Sequence, residues 1–206
     1  MKFRTIFSLF LLTIISSYGQ NNWKYGELIL RNNDTLKGFI QIPMINRAAI
    51  ANSQKIKFKE NQGGKTIRYD YTSAQKLIFK GYDGEISLFE YIRTSQSKVQ
   101  LFKRIYTGNK IRLYGRMVSE VFTGQDVNGN MTSTGFYPTD YNEYYVIRKY
   151  ERTATPLIKV GPFTKSFRKS AMKYFSDCPD LVTKLKNRTL SESDLPRIVK
   201  EYDQCK

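Results

Sequence analysis

The chain has 206 residues, with 34 Lys and Arg against 18 Asp and Glu, a formal charge of +16, two Cys and no His. A composition that is 40% hydrophobic and 14% aromatic supports a folded core, in one domain with a small appendage. The missing His excludes His-based triads, His zinc sites and His proton shuttles, and two Cys cannot by themselves build a Cys-only zinc site or an iron–sulfur cluster.

Residues 1–19 have the make-up of a secretory signal peptide. Lys2 and Arg4 form the positive start, Thr5 to Ser16 is a mostly apolar run, and Ser17-Tyr18-Gly19 is a small-x-small cleavage signature. The apolar run is well short of the ~20 residues that cross a bilayer, and no later run is long enough to do so. The expected mature chain therefore has no transmembrane segment and is exported, to the periplasm or beyond the cell. Cleavage would remove Lys2 and Arg4 and leave +14, with +9 over residues 20–157 and +5 over 158–206. An excess spread in this way favours an anionic partner, such as an anionic polysaccharide or a membrane surface. Export makes nucleic acid the least favoured partner.

Residues 20–157 read as an antiparallel β domain. Short β-branched and aromatic runs alternate with turn residues, which places strands near 25–31, 35–42, 54–59, 65–71, 76–80, 85–92, 98–107, 110–123 and 142–150. The expected fold class is mainly β: an antiparallel meander, barrel or sandwich, followed by a small C-terminal helical segment. In the first hairpin a three-residue loop Asn32–Asp34 would pair Leu30 with Leu36 and Leu28 with Gly38, gathering the leucines and Ile40 on one face. Lys55, Lys57 and Lys59 alternate with Ile56 and Phe58, as in an edge strand guarded by lysines.

The hairpin at Thr107-Gly108-Asn109-Lys110 carries the candidate binding residues. A loop Gly108–Lys110 would pair Ile105 with Leu113 on one face. On the other it would pair Tyr106 with Arg112, Arg104 with Tyr114 and Phe102 with Arg116. Such aromatic–arginine pairs can finish a solvent face, each worth about 0.5–1 kcal/mol, or present a cationic platform to an anionic or carbohydrate ligand. Gly124 to Pro138 follows as the longest weakly patterned stretch and is expected to be a loop. Asp126-Val127-Asn128-Gly129-Asn130 begins like a calcium loop, but Met131 stands where glycine is needed and Tyr137 where a closing glutamate is needed. No metal or cofactor site is expected.

After Pro156 the period becomes helical. Phe163, Phe167, Ala171, Tyr174 and Phe175 form a stripe, with Lys165, Arg168, Lys169 and Lys173 around it. A basic amphipathic helix of this kind can lie on an anionic membrane or cover the sheet, and the β domain needs a cover. Two more short helices are expected: one opened by Asp177, and one after Ser191 whose capping box is completed by Asp194. Residues 158–206 thus form a helical segment packed on the β domain. Cys178 and Cys205 bracket its last two helices, and in an oxidising compartment they are expected to form a disulfide.

The segments Trp23-x-x-Gly26, Asn33-Asp34-Thr35-Leu36-x-Gly38, Phe175-Ser176-Asp177-Cys178-Pro179-Asp180-Leu181 and Ile198-Val199-x-x-Tyr202-x-x-Cys205, behind a signal peptide, resemble a group of uncharacterised exported proteins of Gram-negative bacteria. The resemblance touches both ends of the chain and implies export without implying an activity. The residues themselves hold no G-x-S-x-G, phosphate loop or dinucleotide fingerprint. Asp70, Asp83, Glu85, Glu90 and Glu120 are the acids a carboxylate-dependent hydrolase would draw on. The expected function is non-catalytic: a binding or structural role in the cell envelope with an anionic or glycan partner. The alternative is a carrier with a small molecule or lipid inside the β domain.

Overall fold

The computed structural model describes residues 23–42, 45–46, 55–81, 83–136, 140–161 and 166–205. The expected signal peptide lies outside them, as do Phe163 and Lys165 of the basic stripe. Among the described residues the chain forms β1 (Lys24–Leu30), β2 (Thr35–Gln41), β3 (Ile45–Asn46), β4 (Ile56–Lys59), β5 (Ile67–Tyr69), β6 (Ala74–Lys80), β7 (Ile86–Arg93), β8 (Val99–Thr107), β9 (Ile111–Arg116), β10 (Val118–Gln125), β11 (Met131–Phe136), β12 (Glu143–Arg148) and β13 (Thr155–Ile158). The helices α1 (Phe167–Tyr174), α2 (Pro179–Lys186) and α3 (Leu195–Gln204) follow, with a 3₁₀ turn Glu192–Asp194 before α3.

The fold is mainly β, as its sequence pattern implies. Ten strands make one antiparallel sheet in the order β13-β12-β9-β8-β7-β6-β1-β2-β4-β5. The sheet stays open, contrary to the barrel expectation. A barrel would pair the two edge strands, β13 and β5, and these do not pair; β1 lies inside the sheet between β2 and β6. A second, three-stranded sheet pairs β10 antiparallel with β11 and parallel with β3.

The first hairpin keeps the expected faces but not the expected register. Leu28 pairs with Leu36 and Gly26 with Gly38, two residues away from the sequence-based pairing. The loop is Arg31–Asn33, closed by the Leu30 amide donating to the Asp34 carbonyl at 2.8 Å, with Asn33 in the left-handed region at φ 71°. Because side chains alternate with period two, a two-residue slip leaves every side chain on its own face. It also sets the two glycines opposite each other. A Cβ on Gly38 would fall 2.8 Å from the Phe58 ring and one on Gly26 2.8 Å from the Phe79 ring. Both rings are buried with Leu28, Ile40, Ile56, Leu77 and Leu101.

Two expectations about the middle of the chain fail. The strand expected over 110–123 is broken at Met117 into β9 and β10, which lie in different sheets. The Asn142 side chain drives the break: its oxygen accepts from the Val118 amide and its nitrogen donates to the Val118 carbonyl, both at 2.8 Å, so it occupies the bonds a neighbouring strand would make. The stretch expected to be a long loop is largely the β10–β11 hairpin. Its turn is organised by Asp126, whose Oδ1 accepts from the Asn128 and Asn130 amides at 2.9 Å each. That carboxylate serves the turn.

The helical segment covers one face of the sheet at its C-terminal end. Ile111, Leu113, Val146 and Leu157 pack against Ala171, Phe175, Leu181, Leu185, Ile198, Val199 and Tyr202. Phe175 is fully buried, edge-on to Tyr174 at 5.2 Å and against Tyr202 at 4.9 Å, whereas Phe167 is only partly buried. The Ser191–Asp194 capping box forms as its spacing implies. Cys178 and Cys205 stand at disulfide distance, with Cα atoms 6.0 Å apart, and cap the start of α2 and the end of α3.

Asp203 of α3 clasps the β8–β9 turn. Its carboxylate accepts from the Lys110 amide at 2.7 Å, the Asn109 amide at 3.0 Å and the Tyr106 hydroxyl at 3.3 Å. Lys110 Nζ donates to the Cys205 carbonyl. Burial pushes the Asp203 pKa up, but the donors outweigh it and hold the group below its usual range.

Two outcomes follow from this packing. Phe175→Ala should lower unfolding free energy by about 3–5 kcal/mol, and Phe167→Ala by clearly less, in denaturant titrations. For Asp203, a depressed folded-state pKa means stability that is present above the unfolded value near ~3.9 and lost as pH falls through the lower folded value. Asp203→Asn should be less stable than wild type at neutral pH, and the difference should shrink on acidification, read as thermal midpoints across pH 2 to 7 (about that range spans both states).

Candidate functional site

The aromatic–arginine ladder exists, but as an interior row and not as a surface. Arg104 pairs with Tyr114 as expected. Arg116 lies over Phe102, its guanidinium carbon 4.6 Å from the ring centroid. Tyr106 faces Leu113 and not Arg112, because the register shifts between Arg104 and Tyr106 and moves the rest of the turn by one residue. Phe102, Tyr114 and Arg116 are 0%, 1% and 4% exposed, so the six residues do not form the cationic platform their alternation suggests. Of the six, Arg112 is exposed, Arg104 and Tyr106 are partly buried, and Tyr106 is engaged with Asp203.

The cover is β12. It pairs with β9 so that Tyr145 stands opposite Tyr114 and Glu143 opposite Arg116. The Phe102 and Tyr145 rings meet edge-on at 4.8 Å, and Ala154 and Ile92 complete the cluster. The residues missed from sequence are Glu143 and Tyr145. Their alternation with Ile147 was visible, but nothing local says that this strand lies against β9.

The row is wired by carboxylates. Glu90 accepts from Arg104 at 3.0 Å and from the Tyr114 hydroxyl at 3.1 Å. Glu143 Oε2 accepts from Arg116 Nη2 at 2.6 Å and Nε at 2.7 Å, while its Oε1 accepts from the Val160 amide at 3.2 Å. Arg116 Nη1 is buried and has no hydrogen-bond acceptor among the described residues. Burial first, and the Glu143 charge second, push the Tyr145 phenol up to about 12, so it stays neutral beside the pair.

The Arg116–Glu143 pair forms part of the floor of an open cleft of about 1180 Å³ that crosses β13 to α1. Its lining includes Lys98, Lys159, Lys169 and Lys173, all exposed. Glu143 is the one carboxylate among the described residues that line it. Arg148, also in the lining, is held elsewhere: it pairs with Asp177 at 2.7 Å and Glu151 at 3.8 Å and lies over the Tyr174 and Tyr202 rings at 4.5 and 5.3 Å. The four lysines form no ion pair with a carboxylate among the described residues. Lys169 and Lys173 belong to the basic stripe read from sequence, whereas Lys98 and Lys159 are isolated there and carry no signal.

Of the acids a hydrolase would draw on, Asp70, Asp83 and Glu90 serve local structure, and the Glu120 side chain lies outside the described ones. Asp70 accepts from the Thr72 amide and hydroxyl, Asp83 from the Glu85 amide, and Glu90 holds the row. No three His, Cys, Asp or Glu side chains come together to hold a metal among the described residues, and no helix there is long and apolar enough to cross a membrane. No protein-family model, curated protein or solved structure matches the chain.

Breaking the floor should be costly. Glu143→Ala leaves the Arg116 guanidinium buried and uncompensated, and should destabilise the fold by about 3–5 kcal/mol. A Glu143→Ala/Arg116→Met double variant should recover part of that loss, which a double-mutant cycle on urea unfolding would measure.

Proposed function

We propose that this is an exported, non-catalytic protein of the cell envelope that binds an anionic partner in the cleft between β13 and α1. The observation that carries the reading is the charge of that cleft: four exposed lysines with no acid partner among the described residues, around a floor whose described carboxylate, Glu143, is already neutralised by Arg116. A concave, low-dielectric wall lined by one sign of charge concentrates counter-ions of the other sign. Export rests on the N-terminal sequence, and the Cys178–Cys205 pair fits an oxidising compartment. The resemblance to exported proteins of Gram-negative bacteria points the same way.

The carrier reading has less support. It needs a ligand inside the β body, and the ten-stranded sheet is open, with the described buried apolar side chains gathered into packed clusters. Membrane attachment through the basic helix is likewise weaker, since Ala171 and Tyr174 of α1 face inward.

The test is binding of an immobilised polyanion by wild type and by Lys98→Gln/Lys159→Gln/Lys169→Gln/Lys173→Gln. All four positions are exposed, so the fold should survive, which circular dichroism would verify. Wild type should bind at low ionic strength and weaken as salt shortens the ~8 Å physiological screening length. The variant should lose most of the binding, and equal retention of the two proteins would overturn the reading.

A further inference from the structure

Resting on the anion-binding reading, we propose that the ligand is an acidic glycan, a chain bearing one carboxylate per sugar, laid along α1 and across β13. The first ground is spacing. Lys169 and Lys173 are four residues apart on α1, one helical turn, which sets their Cβ atoms about 5–6 Å apart on the cleft wall. That spacing is close to the advance of one pyranose unit and longer than the phosphate repeat of polyphosphate.

The second ground is what stands between the cations. Ser170 and Ser176 lie beside the two lysines in the lining, and Ser95 stands near Lys98. Hydroxyl donors and acceptors interleaved with single charges match a polymer that alternates carboxylates with hydroxyls. At the floor, Arg116 is fixed by Glu143 through Nε and Nη2, which leaves Nη1 as a buried donor with no acceptor among the described residues. A planar carboxylate is the kind of acceptor a guanidinium nitrogen takes well.

The third ground separates a glycan from other polyanions. Single-stranded nucleic acid is bound on aromatic platforms that stack its bases. The two tyrosines of the lining, Tyr145 and Tyr174, are 3% and 9% exposed, and their rings are already packed on Phe102 and Phe175. They offer no free platform. A lipid would need an apolar trough free of charge, and Lys98, Lys159, Lys169 and Lys173 all stand in this lining.

Calorimetry on the full mature chain would use four probes: an oligogalacturonate, its methyl-esterified neutral form, inorganic polyphosphate and a single-stranded oligodeoxynucleotide. The oligogalacturonate should bind most tightly and its methyl ester should not bind. Lys169→Gln/Lys173→Gln, two exposed substitutions, should weaken the oligogalacturonate about tenfold. Ser170→Ala/Ser176→Ala should weaken it a further few-fold while leaving polyphosphate unaffected. Tighter binding of polyphosphate or of the oligonucleotide than of the uronate would overturn the glycan assignment and leave the anion reading standing. Binding of none of the three polyanions would overturn both.

Discussion

From Leu113 to Arg116 strand β9 is buried on both faces, and the rest of the molecule is arranged around that constraint. On one face Ile111 and Leu113 meet the helices, and on the other Tyr114 and Arg116 meet β12 and the 154 region. Arg112 reaches solvent, but Arg116 on the same face is only 4% exposed. Arg116 therefore needs an acid delivered to it inside the protein, because an unpaired guanidinium at that depth would carry a desolvation cost of several kcal/mol. Glu143 meets that requirement, and it is held in turn by the Val160 amide beyond β13. The order β13-β12-β9 is the arrangement that brings these groups together.

How much of this was legible depends on the range over which each signal acts. Period-two alternation is local, and it put Leu28, Leu36 and Ile40 on one face even though the pairing slipped by two residues. Helical spacing and the Ser191–Asp194 box are also local, and they located α3. Cysteine count and compartment located the disulfide. What was not legible was the cover on the Tyr/Arg face. Reading that face as wet assumed the usual one-sided antiparallel sheet, and the cover comes from Glu143 and Tyr145, 27 and 31 residues beyond Arg116 and Tyr114. The β10–β11 hairpin was missed for a different reason. Met131-Thr132-Ser133-Thr134-Gly135-Phe136 has no apolar alternation, so only pairing with β10 identifies it as a strand.

The C-terminal segment is small, and its attachments are correspondingly dense. Two helices of eight and ten residues are too short to be stable alone in water. They are tied by the Cys178–Cys205 pair, by Asp203 on the β8–β9 turn, and by Tyr202 donating to Asp177 at 2.7 Å. In a chain-entropy description the disulfide alone contributes roughly 3.5 kcal/mol for a loop of this length. The attachments converge on β8, β9 and β12, the same strands that carry the polar row, so covering the sheet and shaping the cleft are one structural event.

Strand β12 shows how the two walls of the cleft are set from one piece of chain. Glu143 and Arg148 are five residues apart, so alternation points them to opposite faces of the sheet. Glu143 reaches Arg116 and fixes the floor. Arg148 reaches the helical side, where it donates to the Tyr174 carbonyl and pairs with Asp177, and so fixes where α1 ends. Lys173 is the residue before Tyr174 and Lys169 lies one turn earlier, so both lysines are positioned by the far end of the strand whose near end positions Arg116. The Tyr174 hydroxyl adds a second tie at 2.6 Å to Glu151, and Glu151 Oε2 also accepts from the Arg148 amide. Burial and the Glu151 bond together push the Tyr174 phenol above its usual range, which keeps it a donor at any physiological pH. The backbone that carries Lys169 and Lys173 is therefore placed on the cleft wall by Glu151 and by β12, the same strand that places Arg116 at the floor.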